Sequence, residues 1–144
     1  MEKLKYIPAL RFPEFKGEWE KKKLGEISDK VMYGMNSSAI EFDGINKYLR
    51  ITDIDESSRE FIPKPLVSPS GYVEERYKLR NGDIVFTRTG ASVGKTYLYN
   101  PKDGNLLFAG FLIKFSIIEG NPFFIFSQTL KESYNKWVLK MSMR

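Results

Sequence analysis

The chain has 144 residues, of which 42% are hydrophobic and 15% aromatic, and this predicts one folded domain with a buried core. Lysine and arginine (23) exceed aspartate and glutamate (18), and the net charge of +5 permits a polyanionic partner. The absence of cysteine and histidine excludes thiol nucleophiles, serine–histidine–aspartate triads, thiolate zinc sites and imidazole bases within the chain. A cysteine-free chain fits the cytoplasm, and no run approaches the roughly 18 apolar residues of a membrane span.

Residues 1–18 predict an extended leader, because Pro8 and Pro13 interrupt helix formation. Trp19 is expected to face inward. Three apolar side chains of the leader are expected to clamp the surface of the domain: Leu10, Phe12 and Phe15.

A polar loop is predicted between residues 29 and 40. Asparagine can pair with adenine through two hydrogen bonds, and serine can pair with several base edges. A surface turn explains the same composition equally well. The candidate nucleic-acid contacts in this loop are Tyr33, Asn36, Ser37 and Ser38.

Residues 46–54 predict a strand with alternating faces. Tyr48, Arg50 and Thr52 share one face, so Arg50 belongs either to a binding surface or to a solvated one. The carboxylates at positions 53, 55 and 56 are interpreted as an exposed turn rather than a metal site.

Residues 80–99 predict the central β-hairpin, with strands at Asp83–Arg88 and Lys95–Tyr99. Its loop has Gly90 and Gly94 at the shoulders, where positive φ is needed. The loop concentrates side chains suited to contact with an anion: Arg88, Thr89, Ser92 and Lys95.

The segment Gly90–Thr96 imitates a phosphate-binding P-loop but does not meet its requirements. Three residues, not four, separate Gly90 from Gly94-Lys95. The motif also needs a helix after Thr96, whose N–H groups hold the phosphate, and the residues that follow predict a strand and a turn. Nucleotide hydrolysis is therefore disfavoured.

Two apolar elements complete the chain. Leu106–Ile118 predicts one buried strand, with Gly110 at a bulge or a close backbone approach. Asn121 and Pro122 predict the start of a helix. Apolar residues spaced by three and four then form one stripe, which we interpret as core packing rather than a docking face: Phe123, Phe126, Leu130, Tyr134, Trp137 and Met141.

The elements together predict an α+β fold: a twisted, mostly antiparallel sheet with a C-terminal amphipathic helix packed on it. We expect residues 1–144 to form a single domain.

Three segments, in this order and spacing, resemble the specificity subunit of type I restriction–modification enzymes. They are residues 8–27, Lys47–Ile54, and Gly82–Tyr97 continuing to Phe108–Lys114. The resemblance covers nearly the whole chain. It implies an N-terminal target-recognition domain that reads one half of a split DNA target, and the sequence ends before the spacer helix and second domain of that family.

The resemblance also implies a non-catalytic chain with no cofactor of its own. Its partners would be double-stranded DNA, modification subunits that use S-adenosylmethionine to methylate adenine, and a restriction subunit that uses ATP and Mg²⁺. The base-reading positions of this family change with the target. The candidate DNA face therefore rests on residue chemistry. It consists of the hairpin and polar-loop residues named above, with Arg50 expected nearby.

One alternative stays open at this point. A protein-interaction module of the same fold would dock a partner through its aromatic surfaces rather than bind DNA.

Overall fold

The structure, a computed structural model, describes Leu10, residues 12–14 and residues 16–143. Within these residues the chain forms eight strands and two α-helices, which confirms the α+β class. The strands are β1 (Ser28–Tyr33), β2 (Ala39–Glu41), β3 (Lys47–Leu49), β4 (Val67–Pro69), β5 (Asp83–Thr87), β6 (Thr96–Leu98), β7 (Leu106–Phe108) and β8 (Leu112–Ile117). The helices are α1 (Pro122–Gln128) and α2 (Glu132–Ser142), and short 3-10 turns lie at Leu24–Ile27, Ile51–Asp53, Glu75–Tyr77 and Pro101–Asp103.

The main sheet has the strand order β1-β8-β5-β6, and all its neighbours are antiparallel. The predicted hairpin is confirmed: Val85 of β5 pairs with Tyr97 of β6, and Gly90 and Gly94 take φ values of +79° and +88°. Val85, Tyr97 and Leu112 of this sheet lie in the main core with apolar residues from other elements: Leu49, Ile54, Leu79, Leu106 and Phe108.

Two smaller pairs of strands complete the architecture. β2 pairs antiparallel with β4, and β3 pairs parallel with β7. The β3–β7 pair explains why the sheets are mostly rather than wholly antiparallel. It also buries Tyr48 and Leu49 beside Leu107 and Phe108.

The predicted strand at 46–54 is wrong beyond Leu49. The Asp53 carboxylate accepts hydrogen bonds from the backbone N–H of Arg50 and from its side chain, and the chain turns into a 3-10 helix at Ile51–Asp53. The alternation predicted for Tyr48, Arg50 and Thr52 therefore ends within the segment.

The apolar run 106–118 forms two strands rather than one. The chain turns at residues 109–111 between β7 and β8, which belong to different sheets. The close backbone approach expected at Gly110 is present, because a Cβ there would lie 3.0 Å from Asn36 Oδ1 and 3.2 Å from the Met35 carbonyl oxygen.

The predicted start of the last helix is confirmed. The Asn121 side chain accepts hydrogen bonds from the N–H groups of Phe123 (2.9 Å) and Phe124 (3.3 Å), and Pro122 is the first helical residue. α1 packs on the main sheet through Phe126 and through Thr129, whose hydroxyl lies 2.7 Å from the hydroxyl of Thr96.

The prediction that the apolar stripe forms one continuous core element is wrong, because the helix is interrupted at residues 129–131. Of the six stripe residues, Phe126 is buried and Tyr134 is half-buried. The other four are exposed: Phe123, Leu130, Trp137 and Met141.

The leader does not clamp the domain as predicted where the structure describes it. Leu10 and Phe12 are 93% and 70% exposed, and Phe15 lies outside the described residues. Trp19 instead stacks on Phe124 of α1 with 5.2 Å between ring centroids and stays about half exposed.

Candidate nucleic-acid interface

An exposed arginine stands between two exposed aromatic rings at one end of the main sheet. The Arg88 guanidinium carbon lies 4.7 Å from the ring centroid of Tyr33 and 5.9 Å from that of Phe111. Arg88 Nε donates to the Gly110 carbonyl at 2.9 Å. Within the described part of the chain its two terminal nitrogens make no hydrogen bond, so their donors face solvent or a ligand.

Backbone hydrogen bonds hold Arg88, the end of β1 and the turn before β8 together. Arg88 N donates to the Phe111 carbonyl (3.0 Å), and Gly34 N, just after β1, donates to the Leu112 carbonyl (3.1 Å). Gly34 packs directly against the chain, since a Cβ there would lie 2.1 Å from the Ala109 carbonyl oxygen. The ends of β1 and β5 and the turn at 109–111 therefore meet at one place.

The loop predicted at residues 29–40 is wrong at both ends, because its first residues, including Tyr33, belong to β1 and its last two belong to β2. The polar loop that remains, residues 34–38, borders the same place. The buried Tyr48 hydroxyl donates to the carbonyls of Met35 (3.0 Å) and Ser37 (2.9 Å), and this fixes the loop backbone. The Asn36 side chain is exposed next to Gly110. We call Tyr33, Asn36, Arg88 and Phe111 the Arg88 surface.

An apolar groove of about 340 Å³ runs beside the Arg88 surface. Ser37 and Ala39 line it on the side of the polar loop, Ile51 and Thr52 line the side after β3, and Phe111 reaches into it from the turn. The groove offers methyl groups next to polar donors, a combination that suits the edge of a nucleic-acid base.

The other candidate loop residues form no hydrogen bond with the Arg88 surface within the described chain. Ser38 turns toward Ser70, with 3.2 Å between the hydroxyl oxygens. Thr89 is exposed and Ser92 half-buried in the hairpin loop. The loop rests on α2, because the Tyr134 hydroxyl donates to the Gly94 carbonyl at 2.9 Å.

Lys95 requires a correction, because the structure buries it instead of presenting it to a ligand. Only 7% of Lys95 is exposed, and its Nζ donates to the Ile54 carbonyl (2.9 Å) and to Glu56 (3.0 Å). A buried ammonium needs such partners, so this lysine ties the hairpin to the segment after β3.

Arg50 requires a similar correction, because it borders the groove but its donors serve the fold. Its Nε and Nη2 bond the two oxygens of the fully buried Asp53 at 2.9 and 3.0 Å, and Nη2 also donates to the Pro65 carbonyl at 2.9 Å. The hydrogen bond to Asp53 raises the pKa of the Arg50 guanidinium.

The acidic residues after β3 go to separate partners. Asp53 holds Arg50, Asp55 caps its own turn through Ser58 N (2.8 Å), and Glu56 pairs with Lys95. The exposed turn expected there is wrong for Asp53, which is fully buried. No cluster of potential metal ligands occurs among the described residues.

Phe111 is the member of the surface that sequence reasoning missed. Its neighbours in an apolar run suggested a buried strand, yet it is 58% exposed at the turn. The preceding Gly110 was the available signal, because a glycine in an apolar run also fits a reversal of the chain.

The P-loop interpretation is not supported by the geometry. Thr96 begins β6 and is fully buried, so no helix N-terminus follows Gly94-Lys95. Among the described residues, no helix is long and apolar enough to cross a bilayer.

Comparison with known proteins adds no family assignment. No protein-family model matches the chain, and no curated protein is significantly similar to it.

Proposed function

We propose that the chain recognises double-stranded DNA through the Arg88 surface. The observation that carries the proposal is the exposed Arg88 guanidinium, held by the Gly110 carbonyl and the Tyr33 ring with its terminal nitrogens unbonded within the described chain. An arginine fixed in this way can donate two hydrogen bonds to O6 and N7 of guanine in the major groove.

The neighbouring residues complement that contact. The exposed Asn36 amide can pair with adenine through two hydrogen bonds, and the groove beside Phe111 can receive a thymine methyl group. The net charge of +5 favours approach to phosphates. The surface therefore combines donors for base edges with apolar contact area.

The resemblance in three segments of the sequence supports a more specific proposal. In it, the chain is a target-recognition domain of a type I restriction–modification specificity subunit and reads one half of a bipartite site. Adenine methylation and DNA cleavage would then belong to modification and restriction subunits, which would bind S-adenosylmethionine, ATP and Mg²⁺. The chain itself would act by placing those subunits on DNA.

The salt dependence of DNA binding tests the proposal. We expect the affinity for duplex DNA to fall with a slope of about −0.9 per neutralised phosphate in a plot of log K against log salt. A single half-site reader lacks the gain of bivalent attachment, so the titration begins at low ionic strength. Absence of binding to any duplex at low salt would contradict DNA recognition.

A second candidate function, docking of a protein partner, is favoured by one observation. The α2 region exposes four large apolar side chains: Trp137, Leu139, Met141 and Met143. Binding through such a face would depend little on salt, which separates it from DNA binding in the same titration.

A further inference from the structure

A second, cationic cleft lies on β1, the edge strand that also carries Tyr33. The cleft, about 310 Å³ in volume, lies between the β1–β8 pair and residues 75–81. Five cationic and three acidic side chains line it: Lys30, Arg76, Lys78, Arg80 and Lys114, with Asp29, Glu75 and Asp83. The lining therefore carries a net positive charge.

Several of these charges already have partners. Lys78 pairs with Glu75 at 2.8 Å, and Arg76 pairs with Glu74 at 2.6 Å. Lys30 and Arg80, by contrast, have no ion pair among the described residues. These two exposed cations are the best placed to bind a ligand, although the hydrogen bond from Lys78, and after it the charge of Arg80, lowers the pKa of Glu75. Asp29 is the acidic group nearest to Lys30 in the chain.

The floor of the cleft contains a buried cation. Lys114 is 6% exposed, its Nζ donates to the Arg76 carbonyl at 2.9 Å, and Asp83 lies 4.0 Å away. Burial lowers the pKa of Lys114, and the positive charges of Arg80 and Lys30 lower it further, while Asp83 opposes them. An anion between these three cations would relieve their mutual repulsion.

We propose that this cleft binds a backbone phosphate of nucleic acid, held by Lys30 and Arg80 above Lys114. The Asn81 amide and the Ser116 hydroxyl, which also line the cleft, supply uncharged donors. The site rests on the proposed DNA recognition and deepens it, because it separates backbone positioning from base reading.

The position of the cleft fits a shared duplex. Lys30 precedes Tyr33 by three residues on β1, which corresponds to roughly 10 Å along a strand. β1 is an edge strand of the main sheet, so no other strand among the described residues covers its outer side. Met32 and Lys114 of the cleft share one face of the sheet and Tyr33 lies on the other, because Met32 pairs with Lys114 and Tyr33 with Ile113 in adjacent register positions. One duplex can therefore contact the phosphate cleft and the Arg88 surface together only by crossing the free edge of β1.

The test is a salt titration of mixed-sequence duplex DNA with the wild type and the double variant Lys30→Gln/Arg80→Gln. Loss of one phosphate contact should weaken binding to all sequences alike and reduce the salt slope by about 0.9. The matched control is Lys131→Gln/Lys140→Gln, which removes the same charge from exposed positions around α2. It should leave the slope near that of the wild type.

The outcomes separate this site from the Arg88 surface. An unchanged slope in the Lys30/Arg80 variant, with wild-type binding intact, overturns the phosphate cleft and leaves DNA recognition standing. If the wild type binds no duplex, both proposals fail. An NMR titration with inorganic phosphate that shifts the Lys30, Arg80 and Lys114 signals, without DNA binding, would reassign the cleft to a free anion and overturn the nucleic-acid assignment.

Discussion

The guanidinium of Arg88 lies over the ring of Tyr33, 4.7 Å from its centroid, although β8 separates their strands in the main sheet. The turn preceding β8 makes this possible, because its Gly110 carbonyl accepts from Arg88 Nε. A cation is thus oriented at the end of the sheet before any ligand arrives. Such preorganisation lowers the entropic cost of binding.

Arg88→Ala should weaken DNA binding by about 1–3 kcal/mol and relax the preference at one base pair. The fold should persist, because the side chain is exposed and contacts two exposed rings. Sequences selected from a random duplex pool by the wild type and the variant provide the comparison. Lys140→Ala, which removes an exposed cation of α2, serves as the control. An unchanged sequence preference in Arg88→Ala would exclude base reading by Arg88.

Lys95→Met should destabilise the fold without changing DNA affinity. The substitution removes the donor to the buried Ile54 carbonyl, and leaving such a group unsatisfied costs about 1–3 kcal/mol. Urea unfolding measures the loss, and DNA titration below the unfolding transition measures affinity. Glu56→Gln is the milder companion, because Glu56 is exposed. Weaker DNA binding by a fully folded Lys95→Met protein would restore the direct role first expected from the sequence.

Gly34→Ala should be strongly destabilising, whereas Gly25→Ala should be nearly neutral. A Cβ at Gly34 would collide with the Ala109 backbone, whereas a Cβ at Gly25 would meet nothing within 4 Å. Forcing the strands apart at Gly34 should cost about 1–3 kcal/mol or more. Thermal unfolding of the two variants tests this, and equal stability would show that β1 and the turn are not packed as described.

Stability should fall in alkaline solution partly because of Tyr134. Burial raises the pKa of this tyrosine to about 12, above the value of about 10 in an unfolded chain. The unfolded state loses its proton first, so the stabilisation is complete below pH of about 10 and is lost as pH rises toward about 12. Tyr134→Phe should flatten the dependence of the unfolding free energy on pH in that window. Part of the dependence should remain, because burial also raises the pKa of Tyr97. An unaltered alkaline slope in Tyr134→Phe would contradict the burial of this hydroxyl.

Local signals predicted the parts of the fold that depend on few residues. Asn121 and Pro122 start α1 because side-chain capping and a fixed φ act within one turn. The hairpin followed from Gly90 and Gly94, whose positive φ closes its loop. The sequence predicted that Tyr33 and Arg88 belong to the same DNA-binding surface. It did not predict that the Arg88 guanidinium contacts the Tyr33 ring.

Tertiary packing decided the parts that sequence patterns missed. Lys95 appeared from the sequence to be a loop cation available to an anion. In the structure it is buried, and its ammonium group donates to the Ile54 carbonyl. The reversal at 109–111 occurs within an apolar run, so no polar break marked it. Arg50 appeared as a surface residue because its partner Asp53 was assigned to an exposed turn, whereas Asp53 is buried against it after a strand that ends at Leu49.

The most direct test of the Arg88 surface is an NMR titration of the labelled chain with duplex DNA at low salt. We predict amide shifts that concentrate at residues 33–38, 88–92 and 109–112, together with separate shifts near Lys30, Arg80 and Lys114 where the cleft binds a phosphate. Absence of shifts, or shifts confined to residues 130–143, would contradict DNA recognition by this surface.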